Sequence, residues 1–292
     1  MAFLHTLIRP FGEYLVKPKK TFPPGSPRLS VPRKVRRILS VHEHQVEDLW
    51  IYDIATTPKQ TSRRIYYFAG GGWQMPPSSQ HWKTCSELAR SLPNTTVSIV
   101  SYPLAPHSPA AIAIPHLLRW FHTAITTSNE HITLMGDSAG ANVILSLAIS
   151  ALQMASAPAL KKIVVVSPAV DLSNTNPSQP SVEKYDPILN IRFVNSTGKA
   201  WASDWDRKDP RILPLYADVS VLHRENVHVY GITGGYDVLT PDALLFRDRL
   251  EEERVPGEWL EWGKQMHCFP LAFMYGLPES KDSFRWLLDK LS

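Results

Sequence analysis

Apolar residues along this chain fall into two rhythms that take turns. Short, densely apolar runs such as Ile65-Tyr66-Tyr67-Phe68, Ile132-Thr133-Leu134-Met135 and Val227-His228-Val229-Tyr230-Gly231-Ile232-Thr233 read as buried strands. Longer stretches with one apolar face lie between them and read as helices. The pattern predicts strands near 46–54, 63–69, 96–101, 131–135, 161–167, 226–233 and 257–262. Helices are expected near 82–92, 109–127, 139–153, 241–254 and 280–290. Such alternation implies an α/β fold, a mostly parallel central sheet with helices on both faces. One stretch, about 174–217, breaks the rhythm with Pro177 and Pro180 followed by Tyr185, Ile188, Phe193, Trp201 and Trp205. An insertion of this kind is expected to lie over the functional face as a small cap.

Several strand ends carry chemistry. The pentapeptide Gly136-Asp137-Ser138-Ala139-Gly140 joins the run ending at Met135 to the helix beginning near residue 139. Its serine sits at the apex of a strand-turn-helix, where a strained backbone needs small neighbours two residues either side. A lone G-x-S-x-G is weak evidence, so its partners must carry the claim. Asp237 falls just beyond the strand expected at 226–233, and His267 just beyond the one at 257–262. A serine nucleophile needs a histidine base, and the base needs an orienting carboxylate. Asp242 and Asp209 compete for the carboxylate role, although Asp242 follows Pro241 and suits the first turn of a helix, where it complements the dipole. Upstream, the strand ending at Phe68 runs into Ala69-Gly70-Gly71-Gly72-Trp73, a loop able to aim N–H groups at an oxygen. Gly71 and Gly72, with the N–H of Ala139, form the candidate oxyanion hole.

In order and spacing these segments resemble the hormone-sensitive-lipase-like branch of the α/β-hydrolases. Its elbow is Gly-Asp-Ser-Ala-Gly, its oxyanion loop is His-Gly-Gly-Gly, and its triad runs Ser, Asp, His along the chain. Tyr102-Pro103-Leu104-Ala105-Pro106, Ser167-Pro168-Ala169-Val170-Asp171-Leu172-Ser173, Asp237-Val238-Leu239-Thr240-Pro241-Asp242 and His267-Cys268-Phe269 match further motifs, so the likeness covers about Gln45 to Ser292. The resemblance implies an esterase with Ser138 as nucleophile, His267 as base and Asp237 as the orienting acid. Three positions depart from the family pattern. Ala69 replaces the first histidine of the loop, Pro103 replaces an arginine, and His107 stands where an acid is usual. The departures keep open an amidase or formamidase, a lactonase, or a non-hydrolytic enzyme of secondary metabolism. A ligand-binding receptor on the same fold is the alternative of another class, though such receptors lose a triad member.

Composition limits the remaining choices. The 292 residues are 43% hydrophobic and 20% charged, an ordinary globular balance, and no run approaches the length of a membrane span. The N-terminal apolar stretch is too short for a secretory leader, and only Cys85 and Cys268 are present, so a cytoplasmic, reducing location is expected. The net charge of +4 is uneven. Residues 1–37 carry nine Lys/Arg against Glu13 alone, a local +8 that leaves −4 for the remainder. With its prolines this stretch is read as an N-terminal arm, residues 1–45, ahead of a hydrolase domain at 46–292. Its poor helical and aromatic patterning argues against a nucleic-acid partner. No stable membrane insertion is expected, and a homodimer remains compatible. The expected partner is a small molecule, with no metal or organic cofactor required. Trp73, Met75, Trp82, Trp201 and Trp205 are candidates to line a pocket for a bulky apolar or aromatic group.

Overall fold

One eight-stranded sheet organises the computed structural model, which describes Gly12, Pro18 and residues 20–57, 61–173 and 175–292. Its strands are β1 (Ser40–Val46), β2 (Leu49–Ala55), β3 (Arg63–Phe68), β4 (Thr95–Ser101), β5 (His131–Asp137), β6 (Leu160–Val166), β7 (His228–Gly234) and β8 (Gly257–Trp262). They lie in the order β1-β2-β4-β3-β5-β6-β7-β8. The β1–β2 and β2–β4 pairs are antiparallel, and all later pairs are parallel. Parallel strands end on a common edge, so the loops after β3, β5, β7 and β8 converge there.

Around the sheet lie α1 (Arg33–Ile38), α2 (Ser79–Ser91), α3 (Ala110–Thr127), α4 (Ala139–Met154), α5 (Gln179–Glu183), α6 (Ile191–Ala202), α7 (Ser220–Arg224), α8 (Thr240–Glu252) and α9 (Pro278–Leu291). Side chains two apart on a strand share a face. Tyr66 and Phe68 accordingly join the core layer that holds Trp120 and Leu117 of α3 and Val143, Ile144 and Leu147 of α4. Ile65 and Tyr67 enter the opposite layer, beneath Trp82, Cys85 and Leu88 of α2 and Phe284 and Leu287 of α9. The central strands are buried on both faces, which explains their near-continuous apolar composition. Among the described residues no helix is long and apolar enough to cross a membrane.

The strand expected near 46–54 needs correction. It is the second arm of a hairpin whose first arm, β1, was not anticipated from the pattern. Ser40-Val41-His42-Glu43-His44-Gln45-Val46 holds only two apolar residues, and the two-residue turn is Glu47-Asp48, both at positive φ of 50° and 61°. Such turns are usually announced by Asn-Gly or Asp-Gly, and Glu-Asp gives no such signal. Residues 1–11, 13–17 and 19 of the expected N-terminal arm, and Asn174 at the start of the expected cap, fall outside the described residues. The described part of the inserted segment contains α5 and α6. Asn190 caps α6, its side-chain oxygen accepting from the Phe193 N–H at 2.8 Å. The insertion is tied to the body through the Asp242 carboxylate, which accepts from Asn176 Nδ2 at 2.7 Å and Gln179 Nε2 at 2.9 Å.

Two glycines set how closely α4 docks behind the end of β5. A Cβ on Gly140 would stand 2.0 Å from the Phe68 carbonyl oxygen, and one on Gly136 would stand 2.7 Å from the Gly140 carbonyl carbon. Both obstacles are backbone, so no rotamer change relieves them. Helix propensity alone would make Gly140→Ala stabilising by about 1 kcal/mol. The clash should win, and we expect a net destabilisation of about 2 kcal/mol or more by chemical denaturation. A variant as stable as the parent would show that α4 does not need this close approach.

Candidate active site

The turn between β5 and α4 forces Ser138 into φ 53°, ψ −121°, a conformation that non-glycine residues rarely adopt. Backbone bonds lock it there. Its N–H donates to Val166 O at 2.9 Å, and its carbonyl accepts from Asn142 N at 3.2 Å and Ala169 N at 3.3 Å. The side chain is thereby turned out of the sheet toward a cavity of about 710 Å³, which it helps to line.

Two further strand ends deliver its partners. Past β7, the Asp237 N–H donates to Gly234 O at 3.1 Å, and Asp237 Oδ1 accepts from Leu239 N at 3.0 Å. The carboxylate is wholly buried. Its other oxygen, Oδ2, lies 2.8 Å from His267 Nδ1, and His267 Nε2 lies 3.0 Å from Ser138 Oγ. With Nδ1–H donating to Asp237, Nε2 is left to accept from the serine hydroxyl. Burial by itself would lower the His267 imidazole. The adjacent Asp237 carboxylate and its hydrogen bond, with a smaller contribution from Cys268, hold it well above the usual histidine value. The structure thus joins Ser138, His267 and Asp237, while Asp209 is engaged with Arg211 and Asp242 anchors the inserted segment.

The glycine loop after β3 rises beside Ser138. Gly71 and Gly72 take φ of 130° and 58°, and the Gly71 carbonyl accepts from Gln74 N and Met75 N, each at 3.1 Å. Among the described residues no hydrogen bond takes the N–H of Gly71, Gly72 or Ala139. All three residues border the cavity. Ala69 cannot anchor this loop with a side chain, but its carbonyl accepts from the Tyr102 hydroxyl at 2.8 Å. Trp73 O likewise accepts from Ala105 N at 2.8 Å. The Tyr102-to-Ala105 segment therefore holds the loop by its backbone.

Behind the serine lies a second polar cluster that the sequence pattern did not bring forward. The Asp137 carboxylate accepts from the Tyr67 hydroxyl at 2.7 Å, and His81 Nε2 lies 3.2 Å from its other oxygen. His81 Nδ1 accepts from the Ser78 N–H at 2.8 Å, so Nε2 carries the proton and donates to Asp137. Burial would push the Asp137 carboxyl up. The His81 ring and its hydrogen bond, with Tyr67 and the Gly70 N–H, outweigh burial and hold it below the usual carboxylate range. The available hint was Ser78-x-x-His81, a capping-box spacing with histidine where glutamate or glutamine is usual. Cys268 sits closer to the chemistry than a buried spectator thiol would, with Sγ 3.4 Å from His267 Nε2. Burial pushes that thiol up to about 11.

Cavity walls are mainly apolar. Trp73 and Met75 come from the glycine loop, Ile188, Leu189 and Phe193 from the inserted segment, and Leu271 and Tyr275 from the chain after β8. Three of the expected lining residues are elsewhere. Trp201 stacks behind Trp73 with ring centroids 5.9 Å apart, Trp82 packs edge-on against Tyr52 in the core, and Trp205 carries the Arg211 guanidinium over its ring. Spacing identified aromatic segments but could not say which way each ring points. No three metal-ligating groups cluster in the cavity among the described residues; the one such cluster is His42, His44 and Asp53 on the outer strands.

Comparison with known proteins agrees with this fold. The sequence profile of a family described as alpha/beta hydrolase fold matches residues 65–271. An esterase of Acinetobacter venetianus is 28% identical over 224 residues, which span 75% of this chain and 71% of that protein. Esterase LipU of Mycobacterium tuberculosis is 29% identical over 234 residues, 77% and 76% of the two chains. The crystal structure of an esterase from the bacterial hormone-sensitive lipase family superposes with a TM-score of 0.80 at 19% identity, covering 98% of this chain and 96% of that one.

A second carboxylate lies beside the buried acid. Asp186, in the inserted segment, accepts from Ile188 N and Leu189 N, and through Oδ2 from Val238 N at 2.8 Å, the residue after Asp237. Burial, with the Asp237 charge beside it, pushes the Asp186 carboxyl up to about 7. The unfolded chain releases this proton near 3.9, whereas the folded chain keeps it to about 7. Between those values the folded state binds the extra proton, so stability falls as pH rises, by at most about 1.4 kcal/mol per unit. Chemical denaturation from pH 5 to 8 should show this decline in the parent protein and a flatter profile in Asp186→Asn. Parallel profiles would mean that Asp186 is ionised throughout.

Proposed function

The chain belongs to the α/β-hydrolase fold family, and from that premise we propose that it hydrolyses carboxylic esters through an acyl-enzyme on Ser138. The observation that carries the reading is the unbroken path from Asp237 Oδ2 through the His267 ring to Ser138 Oγ, at 2.8 and 3.0 Å, opening on an apolar cavity. The esterases found among its relatives point the same way.

In this mechanism Ser138 Oγ attacks the ester carbonyl carbon while His267 Nε2 takes the hydroxyl proton. Asp237 keeps the ring in the productive tautomer and stabilises the imidazolium that forms. Negative charge gathers on the former carbonyl oxygen, where the unengaged N–H groups of Gly71, Gly72 and Ala139 receive it. Each such donor contributes on the order of 3 kcal/mol to lowering the barrier. As the tetrahedral intermediate collapses, His267 returns the proton to the departing alcohol. Water then enters by the same route, loses its proton to His267, and releases the acid from Ser138. Tyr102 and the Asp137–His81–Tyr67 cluster act from behind, fixing the glycine loop and the underside of the elbow.

The cavity favours a bulky apolar acyl or alcohol group. Its volume, about 710 Å³, is within the range of drug-sized ligand sites, and Met75, Phe193 and Leu271 present hydrocarbon to the bound group. Apolar contact contributes about 25 cal/mol for each Å² removed from water, so lengthening the substrate should be rewarded. The insertion at 175–217 serves as the cap that supplies part of this wall.

Four measurements check the reading. A fluorophosphonate probe should label the parent protein once and leave Ser138→Ala unlabelled; equal labelling would remove Ser138 as nucleophile. Asp237→Asn should lower kcat by roughly 10⁴ with little change in KM. The raised His267 value also sets a sign: kcat/KM should fall toward acid as the ring gains a proton, with a midpoint above 6.5 that moves down in Asp237→Asn. An unmoved midpoint would detach Asp237 from the base. Across p-nitrophenyl esters from acetate to octanoate and aryl acids, kcat/KM should rise tenfold or more, and Phe193→Ala should reduce the gain. Fastest turnover of acetate in both proteins would mean a small functional pocket.

A further inference from the structure

The outer edge of the sheet holds a group of side chains with no part in the proposed reaction. Antiparallel register places His42 of β1 opposite Asp53 of β2, with His44 two residues further on opposite Ile51. Side chains two apart on a strand point the same way, so both imidazoles and the carboxylate share one face. The two rings stack with centroids 4.9 Å apart. One ligand atom from each of the three residues can be chosen so that all lie within 4.8 Å of one another, and His44 Nδ1 is 4.0 Å from Asp53 Oδ2.

Two details set this group apart from an ordinary surface cluster. His44 Nδ1 is buried and has no hydrogen-bond partner, a costly condition for a ring nitrogen unless something binds it. Asp53, meanwhile, is already aimed. Its Oδ1 accepts from Arg64 Nη1 at 2.9 Å and Ser98 Oγ at 2.6 Å, leaving Oδ2 turned to the histidines. Arg64 does not leave the site cationic, because its Nε also donates to Glu130 at 2.5 Å. Asp53, Arg64 and Glu130 together carry one net negative charge. Outer hydrogen bonds that orient a carboxylate in this way are characteristic of metal ligands.

We propose that His42, His44 and Asp53 form a binding site for a divalent first-row transition-metal ion, Zn²⁺ foremost. Two imidazoles and one carboxylate suit that class, and exclude Ca²⁺ and Mg²⁺, which need more oxygen ligands. In a tetrahedral zinc site, bonds of about 2.1 Å bring ligand atoms to roughly 3.4 Å from one another. The exposed His42 ring is free to turn inward and close that gap. A water completes the fourth position on the solvent side. The bound ion ties the edge strand β1 to β2, far along the sheet from the cavity that Ser138 faces.

Tag-free full-length protein, stripped with chelator, would be titrated with Co²⁺ by visible absorption and with Zn²⁺ by calorimetry. Expected is one ion per chain, with a Kd on the order of micromolar and the intense visible band of four-coordinate cobalt. His42→Ala and His44→Ala should each weaken binding at least tenfold. His42 is exposed, so its variant should keep the parent's thermal stability in chelator and its ester turnover, which separates a lost ligand from a lost fold. Failure of ester hydrolysis would leave this result unaffected. No saturable binding at 100 µM ion, a set point about a hundred times the expected Kd, would overturn the site. So would a His42→Ala protein that binds like the parent.

Discussion

Everything at the candidate active site depends on one close approach, the meeting of α4 with the ends of β3 and β5. Gly136 and Gly140 let backbone lie against backbone there, and the chain between them turns with Ser138 at φ 53°. That strain is held by bonds from the Ser138 backbone to Val166, Asn142 and Ala169, so the side chain projects in a single direction. The same turn leaves the N–H of Ala139 at the start of α4, on the cavity side and without a partner. A local steric rule thus sets both the direction of the proposed nucleophile and one of the groups proposed to receive the oxyanion. The parallel sheet then brings the loops after β3, β7 and β8 to the same edge.

Around this point the protein spends buried polarity on alignment. Asp137 gathers Tyr67 and His81 beneath the elbow, linking β3 and α2 to the residue before the serine. Asp186 reaches from the inserted segment to the Val238 N–H, next to the acid that holds His267. Tyr102 grips the glycine loop by the Ala69 carbonyl, so the loop is anchored even though Ala69 brings no imidazole. Each of these groups is satisfied by directional hydrogen bonds and fixes a loop that would otherwise be free to shift. An esterase needs that fixity, because a donor displaced by an ångström no longer meets the developing charge.

How far the sequence foretold this arrangement depended on how local the signal was. The alternation of apolar runs placed seven strands and five major helices within a few residues of their observed bounds, and on the central strands burial on both faces of the sheet leaves a near-continuous mark. Strand β1 left no such mark. It lies at an edge, alternates histidine and glutamate with few apolar residues, and turns through Glu47-Asp48. Ser138, Asp237 and His267 were picked out because each follows a strand end, and the structure brings those three together. His81 and Asp186 escaped notice because their significance arises only when distant segments meet, which no spacing rule encodes. The tryptophans show the same limit. Trp73 reaches the cavity while Trp201 lies stacked behind it, a difference of side-chain direction that composition cannot carry.

The central claim is that the hydroxyl of Ser138, and no other nucleophile near His267, accepts the acyl group. Cys268 Sγ, at 3.4 Å from the same ring nitrogen, is the pertinent rival. Rapid quenching of a p-nitrophenyl ester reaction in acid, followed by peptide mass spectrometry, reads the answer directly. The account requires a pre-steady-state burst of one p-nitrophenol per chain, with the acyl mass added to the peptide that contains Ser138. Acylation of the Cys268 peptide, or turnover with no adduct at Ser138, would contradict it.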